Sequence, residues 1–364
     1  MKTSDIQIAF FDTKSYDKAF FDAVNHQSQF GFDLVYYTSR LNERSIRMIE
    51  GAHAVCVFVN DELDTSLLAR LAKMQIPLVA LRCAGFNNVD ITAAAHHGIT
   101  VVRVPEYSPW AIAEYTLGLL LTMNRHIHRA FNRVRENNFS LDGLLGFDLH
   151  GKTVGIIGTG KIGRCFARIL QGFGVQILAY DPFPNNTAAQ ELKMNYVPLD
   201  RLLAESDIIS LHCPLTPLNK YMIRAETLGK MKDGVVILNT SRGKLIDTED
   251  LIEALKSRKV SHAGLDVYEE ETDYFYEDRS NHGIEDDNLA RLMTFPNVIV
   301  SSHQAFFTRE ALRNIAETTL ENILAAMPYM DEDMRQLAAA AVNKLQAMTD
   351  SEFSEREFIL TDEE

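Results

Sequence analysis

Short β-rich runs alternate with stretches of helical period along nearly the whole chain, and that rhythm limits the fold more than any other feature. The runs IQIAFFD, DLVYYT, AVCVFV, PLVALRC and TVVRVP all precede residue 106, with helical segments such as Asp64 to Met74 between them. Strands separated by crossover helices lie parallel in a sheet covered on both faces. A long helical stretch beginning near Pro109, with the pattern AIAEYTLGLLLTMNRHIHRAFNRVRE, interrupts the series. The rhythm then restarts with TVGIIG, QILAYD, DIISLH, GVVILNT, HAGLDV and NVIVSSH. An α/β protein of two doubly wound parallel-sheet domains is expected, and 364 residues is about twice a usual domain length. Thr308 to Ala326 reads as a helix free to pack back on the first unit, which would make the second an insertion; the rhythm permits this without requiring it.

The remaining composition narrows the partners. With 46% hydrophobic and 24% charged residues the chain is neither disordered nor a disulfide-stapled miniature. A net charge of -14 argues against nucleic acid or an anionic membrane as a partner, while leaving room for a small anion in a local basic pocket. Cys56, Cys83, Cys165 and Cys213 are far apart with no CxxC pair, so neither zinc nor a disulfide framework is expected, and a reducing compartment fits. The start lacks the apolar core of a signal peptide, and the longest apolar run, Leu117 to Met123, is too short to cross a bilayer. A cytoplasmic location is expected. His126 and His128 stand two apart on the expected long helix and would face different ways, so no metal site is expected. Residues 331–364 hold ten Asp or Glu against three Lys or Arg, and read as a solvated acidic tail.

The strand TVGIIG runs straight into Gly158-Thr159-Gly160-Lys161-Ile162-Gly163 and then a helical stretch, the context a dinucleotide-binding GxGxxG requires. Gly158 permits the tight turn, Gly160 lets backbone approach a pyrophosphate, and Gly163 allows close helix packing. The helix N-terminus beyond offers unpaired N–H groups to phosphate. Asp181 ends the next strand, QILAYD, where a ribose-binding carboxylate belongs. Pro182 and Phe183 follow instead of arginine, which favours NAD over NADP.

Three charged residues stand at the ends of successive strands of the second unit: Arg242 after GVVILNTS, Glu271 past HAGLDV and His303 after NVIVSS. Carboxyl ends of strands are where ligands sit in a doubly wound sheet. An arginine there can grip a carboxylate bidentately. A histidine beside a carboxylate makes a proton donor near neutral pH, because the negative neighbour stabilises imidazolium. Together they equip a site to reduce a 2-keto acid, with hydride from NADH, a proton from histidine and the substrate carboxylate on arginine.

Several motifs resemble the D-isomer-specific 2-hydroxyacid dehydrogenase family, and within it the fermentative D-lactate branch: GTGKIG with Asp181, HCPLT from His212, ILNTSRG from Ile237, GLDVYEEE from Gly264 and SHQAF from Ser302. The resemblance implies NADH-dependent, reversible reduction of pyruvate to D-lactate. It implies that Arg242 binds substrate, that Glu271 orients the acid/base His303, and that Asp266 supports the site near the nicotinamide. His212, Cys213, Pro214, Thr240 and Ser241 would line the cofactor. The loop Arg82-Cys83-Ala84-Gly85-Phe86-Asn87-Asn88-Val89-Asp90 is similar to the family's RxxGxDNxD, whose amides at Ala84 and Gly85 would hold the carboxylate, although Phe86 and Asn87 depart from it. Tyr107 and Phe306 match walls of a small-substrate pocket. The family fold is a Rossmann cofactor domain inserted in a flavodoxin-like substrate domain, usually a homodimer built across the helix near Pro109. The expected division is 1–105 and 299–330 for the substrate domain, 106–298 for the cofactor domain, and 331–364 for the tail. Competing expectations are a relative acting on bulkier keto acids or glyoxylate, and an NADH-responsive corepressor-like binding scaffold; the aromatic-acidic YFYED stretch favours the enzyme.

Overall fold

Two units of parallel sheet make up the computed structural model, which describes residues 3–327. One unit runs to Ser108 and resumes at Thr308; the other is Pro109–Phe307, so the second is inserted in the first along the chain. The expected acidic tail, 331–364, lies outside the described residues.

The first unit holds β1 (Gln7–Phe10), β2 (Asp33–Tyr36), β3 (Ala54–Val57), β4 (Leu78–Leu81) and β5 (Thr100–Arg103). All neighbours are parallel and the order is β2-β1-β3-β4-β5, the flavodoxin-like arrangement. Every residue of β3 and β4 is buried, as expected of strands covered on both faces. The helix Arg309–Ala326 returns to this sheet and packs on β4, β5 and the helix Ser15–Gln27. Thr308 caps it, its hydroxyl accepting from the amide of Ala311, and Ala311, Leu312, Ile315, Leu320 and Ile323 fill its buried stripe.

The inserted unit carries β6 (Thr153–Ile157), β7 (Gln176–Tyr180), β8 (Met194–Tyr196), β9 (Ile208–Leu211), β10 (Val235–Asn239), β11 (Val260–Leu265) and β12 (Val298–Val300). Their order is β12-β11-β10-β9-β6-β7-β8, so the chain reverses direction between β6 and β9, the switch point at which such sheets bind ligands. Alternate residues feed opposite layers. Val236 and Leu238 pack with Phe166 and the helix Pro109–Asn124, whereas Val235 and Ile237 pack with Leu251 and Leu255.

Three local features differ from what the sequence pattern suggests. The long helical stretch breaks into Pro109–Asn124 and Ile127–Arg135, because His126 adopts φ 51° and the Asn124 side chain both donates to and accepts from the backbone of Phe147. A Cβ on Gly146 would lie 2.4 Å from the Asn124 carbonyl, so the returning chain occupies the space beside the helix end. His126 therefore sits at a helix junction, its ring 5.6 Å from that of His262, and not on a shared helix with His128. Strand β8 has no apolar run to announce it and exists as a three-residue edge paired to β7. Lastly, the second junction falls after Phe307 and not at 298, since Ser301, Gln304 and Ala305 all bond to Asp266 of the inserted unit.

Candidate active site

The glycine turn lies at the switch point. Gly158, just past β6, has φ 93°, and a Cβ there would stand 2.6 Å from the backbone of His212 at the end of β9. A Cβ on Gly163 would meet the carbonyl oxygen of Gly158 at 2.1 Å, so turn and helix close on each other only without side chains. Gly160 caps the helix Lys161–Leu170 with no side-chain hydrogen bond, which leaves the amides of Lys161 and Ile162 in an uncapped first turn. A Cβ on Gly160 would meet nothing within 4 Å: the turn is open on that side. Asp181, past β7, accepts from the Thr159 amide at 2.7 Å and hydroxyl at 3.0 Å, while its other oxygen accepts from the Phe183 amide at 2.9 Å. Tyr196, on the unforeseen β8, shares a 2.7 Å hydrogen bond with the Thr159 hydroxyl and accepts from the Asn185 amide.

Around this turn the expected lining residues divide by which part of them faces it. The imidazole of His212 turns away, 2.9 Å from the Ser210 hydroxyl and against Phe166, so its backbone and not its ring borders the turn. Burial pushes that imidazole down to about 3, so it is neutral at physiological pH. Burial likewise pushes the Cys213 thiol up to about 11, which makes it an inert neighbour. Pro214 is exposed and its carbonyl accepts from Asn219. Thr240 is buried with its hydroxyl 2.9 Å from that of Thr116, and Ser241 donates to the Leu211 carbonyl at 2.7 Å.

Strands β10, β11 and β12 are neighbours, and past their carboxyl ends stand the three charged residues. Asn239, buried at the end of β10, shapes the arginine turn: its oxygen accepts from the Ser241 amide and its nitrogen donates to the Arg242 carbonyl. Gly243 follows, and a Cβ there would lie 2.0 Å from the backbone of Tyr268, so absence of a side chain lets the arginine turn lie against the segment that bears Glu271. The Arg242 guanidinium donates to the Ser241 carbonyl at 2.7 Å, and among the described residues no carboxylate pairs with it. Glu271 holds the His303 ring, Oε1 to Nδ1 at 2.8 Å, and its second oxygen accepts from the Tyr268 amide at 3.0 Å. Both side chains keep about a fifth of their surface open, 19% for His303 and 21% for Glu271.

Asp266, expected beside the nicotinamide, directs its bonds to its own chain. Its Oδ1 accepts from the Ser301 hydroxyl and the Gln304 amide, its Oδ2 from the Ala305 amide, and its carbonyl from the His303 amide at 2.7 Å. Complete burial raises its carboxyl above the ordinary aspartate value, against the opposing pull of His303 and these donors. Phe306 is buried beside Phe307. In the other unit, Arg103 at the end of β5 donates to the Ala84 carbonyl at 2.8 Å and lies over the Phe86 ring, bracing the loop that holds Gly85. The carbonyl of Tyr107 accepts from Asn314 at 2.6 Å.

A sequence profile described as D-isomer specific 2-hydroxyacid dehydrogenase, NAD binding domain, matches residues 117–305. The 2-hydroxyacid dehydrogenase homolog of Haemophilus influenzae is 54% identical over 87% of this chain and 95% of its own, and the D-lactate dehydrogenase of Escherichia coli is 51% identical over 87% and 96%. The chain belongs to the D-isomer-specific 2-hydroxyacid dehydrogenase family. A solved structure described as the pyruvate reductase of Chlamydomonas reinhardtii superposes with a TM-score of 0.83 at 40% identity, covering 94% of this chain and 98% of that one. A second profile, putative transposon-transfer assisting protein, matches residues 314–360, most of which lie outside the described residues.

This dehydrogenase uses NAD, and its own residues fit that cofactor. The turn is open at Gly160, the helix that follows starts without a side-chain cap, and the Asp181 carboxylate with no arginine after it suits a ribose that carries free hydroxyls. The described residues contain no group of three or more His, Cys, Asp or Glu arranged to hold a metal, and no helix among them is long and apolar enough to cross a membrane. Asn239, Tyr196 and Tyr276 escape sequence reasoning because their partners are distant along the chain or are backbone atoms; a polar residue ending the apolar run VVILN is the one available signal.

Proposed function

We propose that the dehydrogenase reduces pyruvate to D-lactate with NADH, reversibly. The observation that carries this reading is the His303–Glu271 pair at 2.8 Å, past strands that neighbour the one bearing an arginine with no carboxylate partner among the described residues. When bound, NADH supplies a hydride to the substrate's carbonyl carbon. Because Glu271 holds Nδ1, the other ring nitrogen of His303 is left to give its proton to the carbonyl oxygen. The planar Arg242 guanidinium grips the substrate carboxylate through two N–H donors. Asp266 keeps His303 in place by fixing the 301–305 loop from within. The Ala84 and Gly85 amides, with Tyr107 and Phe306, are assigned substrate contacts by family likeness. Initial rates with pyruvate, phenylpyruvate, 2-ketoisocaproate and glyoxylate, with chiral analysis of the product, test this. Pyruvate is expected to have the highest kcat/KM and to give the D-isomer; a bulkier acid ahead of it overturns the substrate.

We further propose that the enzyme is a cytoplasmic homodimer. Supporting a second copy is the run of exposed apolar side chains that follows the helix junction, where Phe131, Phe139, Leu141 and Leu145 are 61 to 92% exposed. Four cysteines that form no disulfide suit a reducing compartment. Sedimentation of wild type and Leu145→Asp is expected to show a dimer that weakens on substitution, and fractionation is expected to place the chain with the cytosol.

A further inference from the structure

We infer that Tyr276 is a positioning residue for the acid/base histidine, a role that rests on the reading of His303 as proton donor. His303 is held in the left-handed region at φ 49°, a conformation that a non-glycine residue keeps only when its surroundings hold it there. Three anchors do so. The His303 amide donates to the Asp266 carbonyl at 2.7 Å, the ring Nδ1 meets Glu271 at 2.8 Å, and the His303 carbonyl accepts from the Tyr276 hydroxyl at 3.1 Å. The Tyr276 ring also lies 6.1 Å from the imidazole at 31°, so one side chain contacts both the backbone and the ring of the histidine.

Tyr276 is itself held in the left-handed region, at φ 69°, and the segment around it explains how. The amides of Tyr274 and Phe275 return to the Glu271 carbonyl, and Phe275 is buried. Farther on, Asp286 gathers the segment: one oxygen accepts from the Tyr268 hydroxyl at 2.7 Å, the other caps the helix Asp287–Thr294, and its amide donates to the Tyr274 hydroxyl. Glu271 and Tyr276 therefore belong to one strap, tied at both ends, that reaches His303 from two sides. An anchored imidazole stays within proton-transfer distance of a bound carbonyl oxygen, whereas a released one samples other orientations.

Tyr276→Phe keeps the ring and removes only the hydroxyl. With pyruvate and NADH it is expected to lower kcat about 3- to 10-fold, the worth of one hydrogen bond. The pyruvate KM and NADH affinity, read by cofactor fluorescence, are expected to stay within about twofold, since neither Arg242 nor the glycine turn is touched. Placed on His303→Gln, the same change is expected to cost less than about twofold more, because its effect runs through the histidine. A kcat within about twofold of wild type in Tyr276→Phe, or an undiminished cost on the His303→Gln background, overturns the positioning role while His303 stands. Near-normal turnover in His303→Gln overturns the acid/base reading itself.

Discussion

Each sheet carries an arginine just past the end of a strand, and the two have opposite surroundings. Arg82, after β4, is 1% exposed, lies 3.4 Å from the Asp17 carboxylate, donates to the Asp12 carbonyl at 2.8 Å and stacks on Phe58. Arg242, after β10, is partly open, and among the described residues its guanidinium donates to its own neighbour's carbonyl and pairs with no carboxylate. In the first unit the fold answers the charge internally, so the arginine serves architecture; in the second no carboxylate among the described residues answers it, which is what the proposed grip on a substrate carboxylate requires. Position at a strand end does not separate the two cases. What separates them is whether an acidic side chain reaches the guanidinium, and Asp17 arrives from a helix that sequence spacing does not place.

The contrast is tested by breaking each site separately. The largest effect is expected at the histidine: His303→Gln should lower kcat by about 10²- to 10⁴-fold, the usual worth of a positioned proton donor, with NADH binding retained. Arg82→Met should act on stability instead, costing about 3–5 kcal/mol by leaving Asp17 buried without its partner, with kinetic constants of the folded enzyme little changed. Chemical denaturation beside steady-state kinetics distinguishes the two. Arg242→Lys comes next, with about a 10- to 100-fold fall in kcat/KM for pyruvate as the bidentate grip is lost, and with the melting temperature unmoved. Were Arg242→Lys to destabilise the protein as Arg82→Met does, the proposed division between architectural and ligand-facing arginine would fail.

Much of this was open to reading from the chain. Strands buried on both faces announce themselves as apolar runs, and GxGxxG with Asp181 marks the nucleotide turn because its geometry is local: a glycine φ, a close approach and a helix start. The placement of Arg242, Glu271 and His303 past neighbouring strand ends is legible because β10, β11 and β12 pair in parallel. The missed features are those set by contacts remote in sequence. Strand β8 is made by pairing Met194 and Tyr196 to β7, with only three residues and an exposed Asn195 in the middle. The helix break at His126 depends on Asn124 meeting Phe147, and the hydrogen bonds that occupy Asp266 come from donors at 301 to 305. Neither is a matter of propensity or period.

The smallest effect sharpens the contrast from another side, because the two units bury titratable groups with opposite signs. In the first, burial pushes the Asp61 carboxyl up from 3.8 to about 6, although the amides of Phe58 and Leu41 and the charge of Arg82 pull it down. Its protonated form is thus favoured in the folded chain, so this stability is full below 3.8 and is lost as pH rises through about 6. In the second, His212 is pushed down from 6.5 to about 3 by burial, so its contribution is present above 6.5 and is lost as pH falls. Between about pH 4 and 6 the two slopes oppose each other. Denaturation midpoints should therefore be measured across that window for wild type, Asp61→Asn and His212→Gln. The stability difference between wild type and Asp61→Asn should shrink as pH rises, and the difference between wild type and His212→Gln should grow. Difference curves of the same sign would mean that one of these side chains is more hydrated than its packing indicates, and the curve that departs from its expected slope identifies which one.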